Sequence, residues 1–219
     1  MLATSFATVY GSLLNHAEAL AALGEAVNLP PYKAAPKAPV LYIKPRNTHN
    51  THGGNIVVPA GVAELEMGAT LGIVIGRTAC RVSEDDALSV IAGYTVCNDV
   101  SVPHALYYRP SLRFKCRDGF MPIGPAIVSA QQVPRPDALG ITVNIDGNVV
   151  QRTSTARMLR PVARLIAAVT DFMTLSPGDV LMLGVPAGAP RARAGQRVCI
   201  TIDGVGTLEN TLVAEEAAP

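Results

Sequence analysis

A single β-rich α+β domain is what the sequence predicts, and three observations carry that expectation. Short apolar runs recur along the whole chain, each bounded by Gly, Pro, Asn or Asp, as strands between turns would be. Helical periodicity holds in only a few segments, chiefly 161–173. The 219 residues, 49% hydrophobic and 16% charged, suffice for a sizeable core, and no linker divides them in two.

The elements follow in order. Residues 6–14 alternate loosely, as a strand would. Residues 17–27 are rich in Ala, Leu and Glu and read as a short helix that Pro30 and Pro31 stop. Prolines among lysines and alanines make 31–39 a loop. Residues 1–39 are thus expected to be a strand, a helix and a lid segment ahead of a main body at 40–219. Residues 40–43 form a strand ending at Lys44-Pro45, and RNTHNTHGG at 46–54 is polar and turn-like. Strands are expected at 56–58 and 71–75, the second closed by Gly76 and Arg77. Ser83 with Asp86 resembles a capping box opening a helix at 87–92. A strand at 94–97 leads to Asn98-Asp99. Residues 101–118 show no period, and a long loop inside a compact domain points to function. Asp146-Gly147 turns a hairpin from 141–145 into 149–151. Pro161 suits the first turn of a helix, where its missing N–H costs nothing. A turn at 176–179 precedes a strand at 180–183, and strands at 198–202 and 207–213 flank Asp203-Gly204.

The net charge is +1, without a block of like charges, which argues against a nucleic-acid or membrane partner held by bulk charge. There is no Trp and aromatics are 5%, so a base-stacking surface is not expected either. The N-terminal stretch lacks the basic start of a secretion signal, and no apolar run approaches the roughly 20 residues that span a bilayer. A soluble, cytoplasmic protein is expected. Cys80, Cys97, Cys116 and Cys199 are widely spaced with no C-x-x-C pair, which reads as buried reduced thiols. His49 and His52 form H-x-x-H, but a zinc site needs further ligands that no neighbouring pair supplies, so a solvated loop is expected there. Ser101 and Cys116 have no identifiable sequence-local base that would make either a nucleophile.

Several stretches taken together resemble the fumarylacetoacetate hydrolase family. They are YIKP ending at Pro45, LGIVIGR ending at Arg77, YTVCNDVS ending at Ser101, FKCRDGFMPIGP ending at Pro125, the hairpin VNIDGNVVQ, and DFMTLSPGDVLMLGVPAG ending at Gly188. They occur in the family's order and cover the chain from residue 40 to the end. LNHAEAL, GATLGIVIG and YYRPSLRFKCRDGF further resemble one subgroup, the N-terminal unit of isomerase/decarboxylases of 4-hydroxyphenylacetate (homoprotocatechuate) degradation. The resemblance implies a mixed β-sandwich roll. It also implies decarboxylation of 5-oxopent-3-ene-1,2,5-tricarboxylate, isomerisation of 2-hydroxyhepta-2,4-diene-1,7-dioate, and Mg²⁺ or Mn²⁺ as cofactor. The implied partners are a 2-oxo di- or tricarboxylate substrate and either a second copy or a homologous C-terminal-type subunit. Two other readings stay open: a metal-free scaffold or regulatory subunit, and an acylpyruvate-type hydrolase.

The chemistry of such a family is understandable from its residues. A 2-oxo acid chelates a hard cation, which stabilises the enolate formed when CO₂ leaves or a proton moves. An E-x-E pair on a strand offers two carboxylates to one face, and a later Asp offers a third. In this chain the resemblance places Asp99 as that third ligand, but the E-x-E places hold Gly68 and Thr70. Glu64 and Glu66 do read E-x-E, yet four residues upstream, a displacement of roughly 13 Å along an extended strand. Metal is therefore expected to be weak or absent in the isolated chain. The resemblance assigns Lys115 to the substrate side, surrounded by Tyr108, Arg109, Arg117 and Asp118; cations of this kind suit a polycarboxylate. Lys44 is a further candidate for substrate binding or simply the end of its strand. His16 is a candidate catalytic base, since the spaced His of relatives is Ala19 here. Pro103-His104 stands where the family has Arg-Asp, and Val185 stands where it has a Thr.

Overall fold

The computed structural model describes residues 6–104 and 111–216. The strands among them are β1 (Val9–Leu13), β2 (Val40–Lys44), β3 (His49–Thr51), β4 (Asn55–Val58), β5 (Leu65–Glu66), β6 (Ala69–Ile75), β7 (Ile91–Asn98), β8 (Met121–Ser129), β9 (Gly140–Ile145), β10 (Asn148–Ser154), β11 (Val180–Met182), β12 (Arg191–Ala192), β13 (Arg197–Ile202) and β14 (Gly206–Ala214). The helices are α1 (Ala17–Ala21), α2 (Leu112–Lys115) and α3 (Val162–Thr170).

One sheet runs β2-β1-β11-β6-β7-β8-β3, a second runs β10-β9-β13-β14-β4, and β12 pairs with β5. The sheets are mixed: β1 with β11, β14 with β4 and β3 with β8 are parallel pairs. The alternation read from the sequence explains how the sheets face each other. In β9 and β13 every second residue is buried, and Ile141, Val143, Ile145, Val198, Ile200 and Ile202 meet Leu71, Ile73 and Val96 of the first sheet in one core. Helix α3 adds Val162, Leu165, Ile166 and Val169, all 0% exposed, each stabilising by on the order of 2 kcal/mol. The first sheet curls, so its other face closes on a smaller cluster of Val9, Val74, Cys97, Met121, Ile123, Val180 and Met182. All of β6 is buried. The expected β-rich roll is what forms, and no helix among the described residues is long and apolar enough to cross a membrane.

Several expectations are corrected. The helix at 17–27 stops at Ala21 and resumes as a 3₁₀ turn at Gly24–Asn28, because Gly24 takes a left-handed φ of 49°. Residues 46–54 are not all turn, since His49–Thr51 pairs with β8 as β3. The Ser83–Asp86 contact exists, Asp86 N–H donating to Ser83 Oγ at 3.2 Å, but it opens only a 3₁₀ turn at Ala87–Val90, and Ile91 already belongs to β7. The loop at 101–118 contains α2. Strand β8 escapes sequence reading because Pro122, Gly124 and Pro125 look like breakers. Pro125 is tolerated because β3 has ended by Ile123 and the β7 ladder is irregular there, so no regular donor is missed. Of the cysteines only Cys97 is buried; Cys80 is exposed, Cys116 and Cys199 are half-buried, and all four are free thiols.

Candidate active site

The site forms where β6 and β7 begin and end together. Ala69 pairs with Asn98, and the next residue, Asp99, donates its N–H to the Gly68 carbonyl at 2.9 Å. Tyr42 and Lys44, two apart on β2, both aim at the Asp99 carboxylate. Tyr42 reaches it across β1 because Gly11 stands opposite in the ladder. A Cβ at Gly11 would lie 2.0 Å from Tyr42 Cζ, so only glycine leaves room for the ring.

Asp99 is shared between two lysines. Lys115 Nζ donates to Oδ2 at 2.6 Å, and Tyr42 OH donates to the same oxygen. Lys44 Nζ directs hydrogen bonds to the carbonyls of Val100 (2.8 Å) and Lys115 (2.7 Å) and forms an ion pair with Oδ1 at 2.9 Å. Lys44 is 0%, Asp99 3% and Lys115 9% exposed. Burial pushes the Asp99 carboxyl up, but the charges of Lys115 and Lys44 outweigh it and hold the group well below the usual carboxylate range. Burial raises the Tyr42 hydroxyl, and the charge of Asp99 adds to it. Lys44 is pulled down from 10.5 to about 8, burial exceeding the help from Asp99.

The Lys44 shift has a signed consequence. Between pH 8 and 10.5 the unfolded chain still holds a proton that the folded chain has released. The penalty is fully present below 8 and is relieved as pH rises, so Lys44 by itself contributes a rise of about 2 kcal/mol from pH 8 to 10, opposed in the same window by Cys97, whose thiol is pushed up by burial. Urea unfolding of wild type and Lys44→Met at both pH values isolates this contribution, since the stability of wild type relative to the variant should rise by about 2 kcal/mol from pH 8 to 10.

In front of Asp99 lies a cavity of about 340 Å³, lined among others by Ser12, Tyr42, Glu66, Gly68, Asp99, Ser101, His104, Lys115, Val185 and Arg191. That is the lower end of small-molecule site volumes. Ser12 Oγ donates to the carbonyls of Met182 and Leu183, and Asn15 Nδ2 donates to Leu183, which ties the N-terminal segment to the loop that starts at Gly184. Helix α1 supplies Ala19, and its C-cap Ala22, to the wall. Backbone bonds between Glu66 and Ser101 hold the opposite wall. His104 stacks on Phe114 with ring centroids 5.0 Å apart. Its Nδ1 lies 3.0 Å from the Val102 carbonyl. Ser101 Oγ donates to the same carbonyl at 3.0 Å and also lies 3.2 Å from His104 Nδ1.

The donor set does not fit a divalent cation. Both Asp99 oxygens already face ammonium groups. Thr70 is wholly buried, and its hydroxyl accepts the Gly184 N–H at 3.1 Å. The space a side chain at Gly68 would take is closed by the Asp99 carbonyl, 2.6 Å from an ideal Cβ, and by Val185. No three His, Cys, Asp or Glu side chains among the described residues come together as a metal cluster. Glu66 sits on the cavity wall against Arg191 Nη2 at 3.5 Å, and Glu64 is not among the lining residues.

The sequence-derived candidates divide accordingly. Asp99 and Lys115 meet at the cavity. Lys44 is not a lining residue; it lies wholly buried as the second counter-ion of Asp99. His16 is a helix cap outside the lining, its Nδ1 accepting from Glu18 N–H and its Nε2 3.1 Å from Thr153 Oγ1. Arg117 donates to the Arg113 carbonyl and Asp118 accepts from Asn47, both away from the lining. Tyr108 and Arg109 lie outside the described residues. His52 Nδ1 accepts from Glu209 N–H. Tyr42, Ser12, Ser101, His104 and Arg191 were not legible as site residues. For Tyr42 a signal existed: two-residue spacing from Lys44 puts both on one strand face.

The Fumarylacetoacetate (FAA) hydrolase C-terminal family matches residues 8–213. The 4-hydroxyphenylacetate degradation bifunctional isomerase/decarboxylases of Salmonella dublin and Escherichia coli are each 41% identical over 95% of this chain, covering 48% and 47% of their own lengths. The chain thus spans about half the length of the curated relatives it matches. The structure of 2-hydroxyhepta-2,4-diene-1,7-dioate isomerase from Mycobacterium marinum is similar with a TM-score of 0.79 and 30% identity, over 96% of this chain and 75% of that one. Fumarylpyruvate hydrolase from Pseudomonas aeruginosa, solved in complex with Mn²⁺ and pyruvate, gives 0.83 and 25%, over 96% and 91%. Sequence and roll agree along nearly the whole chain, and so the chain belongs to the fumarylacetoacetate hydrolase family, in its C-terminal-domain type.

Proposed function

We propose that the chain is the N-terminal-type unit of a decarboxylase/isomerase acting on 5-oxopent-3-ene-1,2,5-tricarboxylate and 2-hydroxyhepta-2,4-diene-1,7-dioate, and that it works with a homologous unit that supplies a Mg²⁺ or Mn²⁺ site. The observation that carries this is the 41% identity, over 95% of the chain, to one half of proteins named for both activities. The cavity supports it chemically. Lys115 lines it as a positive charge, while Arg191 on the same wall is paired with Glu66, so Lys115 is the cationic anchor a carboxylate meets. Ammonium beside the 2-oxo group stabilises the negative charge left when CO₂ departs. Tyr108 and Arg109 remain candidates for a further carboxylate.

A purified chain should show little turnover alone and gain both CO₂ release and loss of diene absorbance when mixed with a metal-competent homologous unit. Lys115→Met in that mixture should lower kcat/KM about 100-fold. Full activity of the isolated chain would overturn the need for a partner. The scaffold reading is favoured by the closure of Asp99 on its lysines, and an unchanged rate with Lys115→Met would select it. The acylpyruvate-hydrolase reading has less support, because His16 lies outside the cavity lining.

A further inference from the structure

We propose that Lys44, Asp99 and Lys115 form an internal cation, so that the cavity binds a 2-oxo dicarboxylate directly and needs no divalent metal to do so. This rests on the functional reading above for its substrate class but on the cluster's geometry for its mechanism.

The sign of the charge is the starting point. Two ammonium groups share one carboxylate, leaving the buried cluster at +1. A centre of three carboxylates around a divalent ion carries −1 and needs that ion before it accepts an anion. The cluster here has the opposite sign, so it repels a divalent cation and attracts a carboxylate. Glu66 and Arg191, the other charged pair on the wall, cancel each other.

The cluster is also arranged to deliver its charge outward. Lys44 is pinned by two carbonyls behind Asp99 and neutralises Oδ1 from the protein side. Lys115 stands on the cavity side, 4.9 Å over the Tyr42 ring, and gives Asp99 one of its three N–H donors at 2.6 Å. The carboxylate therefore orients Lys115 without neutralising the pair. Lys44 is the positioning residue, and Lys115 is the group that meets the ligand. A fixed ammonium in a water-poor wall binds a carboxylate or a 2-oxo oxygen with little reorganisation.

Calorimetry of the full chain with 2-oxoadipate in EDTA is the test, repeated with Mn²⁺ in place of EDTA. Binding in EDTA, with a Kd changed less than twofold by Mn²⁺ and weakened by added NaCl, is expected. Lys115→Met should lose at least tenfold in affinity and Lys115→Arg should recover most of it. Binding seen only with Mn²⁺, or absent under both conditions, overturns the proposal; this wild-type comparison holds even where a variant fails to fold. The two readings fail separately. Metal-independent binding by a chain that supports neither reaction in the mixed complex leaves the anion site standing and removes the functional reading. Turnover in the complex by a chain whose own anion binding requires Mn²⁺ does the reverse.

Discussion

Asp99→Asn should lower the unfolding free energy by about 3–5 kcal/mol, the cost of leaving buried charges without their counter-ion. The side chain keeps its shape, so packing is not the cause. What changes is that Lys44, 0% exposed, and Lys115 face each other across a neutral amide. Urea unfolding at pH 7 reads the loss directly. Adding Lys44→Met to Asp99→Asn should restore at least half of it, because one stranded ammonium is then removed. A stability equal to wild type in Asp99→Asn would mean that water relieves both ammoniums and that the cluster is not a closed one. The acid limb offers an independent check. The folded Asp99 is held below its ordinary value of 3.8, so its stabilisation is fully present above that value and is lost as pH falls through the folded one. The wild type should therefore weaken steadily below about pH 4, and Asp99→Asn should show a shallower acid limb.

Gly68→Glu combined with Thr70→Glu, which writes in the E-x-E pair that the resemblance expects there, should not create a metal centre. It should cost more than about 4 kcal/mol or prevent soluble accumulation. The first atom of any side chain at Gly68 meets a main-chain carbonyl at 2.6 Å, and a backbone atom cannot turn aside as a side chain can. At Thr70 the new carboxylate enters a fully buried position and displaces the acceptor of the Gly184 N–H. Gly68→Ala alone should cost about 2–3 kcal/mol by the same contact. Urea titration and the Mn²⁺ electron paramagnetic resonance signal check both parts. A folded double variant that binds Mn²⁺ at micromolar concentration would show that only two side chains separate this cavity from a metal centre. The closing of the Gly68 space by Asp99 and Val185 predicts otherwise, since backbone and side-chain atoms already fill it.

How much of the site was legible follows from where each contact comes from. Asp99 and Lys115 stand in motifs whose order along the chain is recognisable, and both reach the cavity. Arg117 and Asp118 share the Lys115 motif but not its direction. The short helix α2 buries Lys115, while Arg117 turns back to the Arg113 carbonyl and Asp118 goes to Asn47. His16 was a plausible base by type, yet its Nδ1 is spent on capping α1. Tyr42 carries one local signal, the two-residue spacing that sets it on the same strand face as Lys44. Gly11 carried no visible signal at all, because its purpose is to be absent beneath a ring contributed by another strand.

From the sequence alone came the β-rich composition, the Asp146-Gly147 hairpin, the helix that follows Pro161, which is its N-cap rather than part of its first turn, the family, and the presence of Gly68 and Thr70 where the resemblance expects two carboxylates. These are local properties: a period, a turn dipeptide and a motif are each written within a few neighbouring residues. Only the tertiary structure decided what stands in their place. Lys44 meets Asp99 because β2 flanks β1, β1 flanks β11 and β11 flanks β6, an order set by the registers of four strands far apart in the chain. Burial then gives that meeting its weight, since a shared carboxylate between two lysines matters little in water and governs the charge of a cavity once water is excluded.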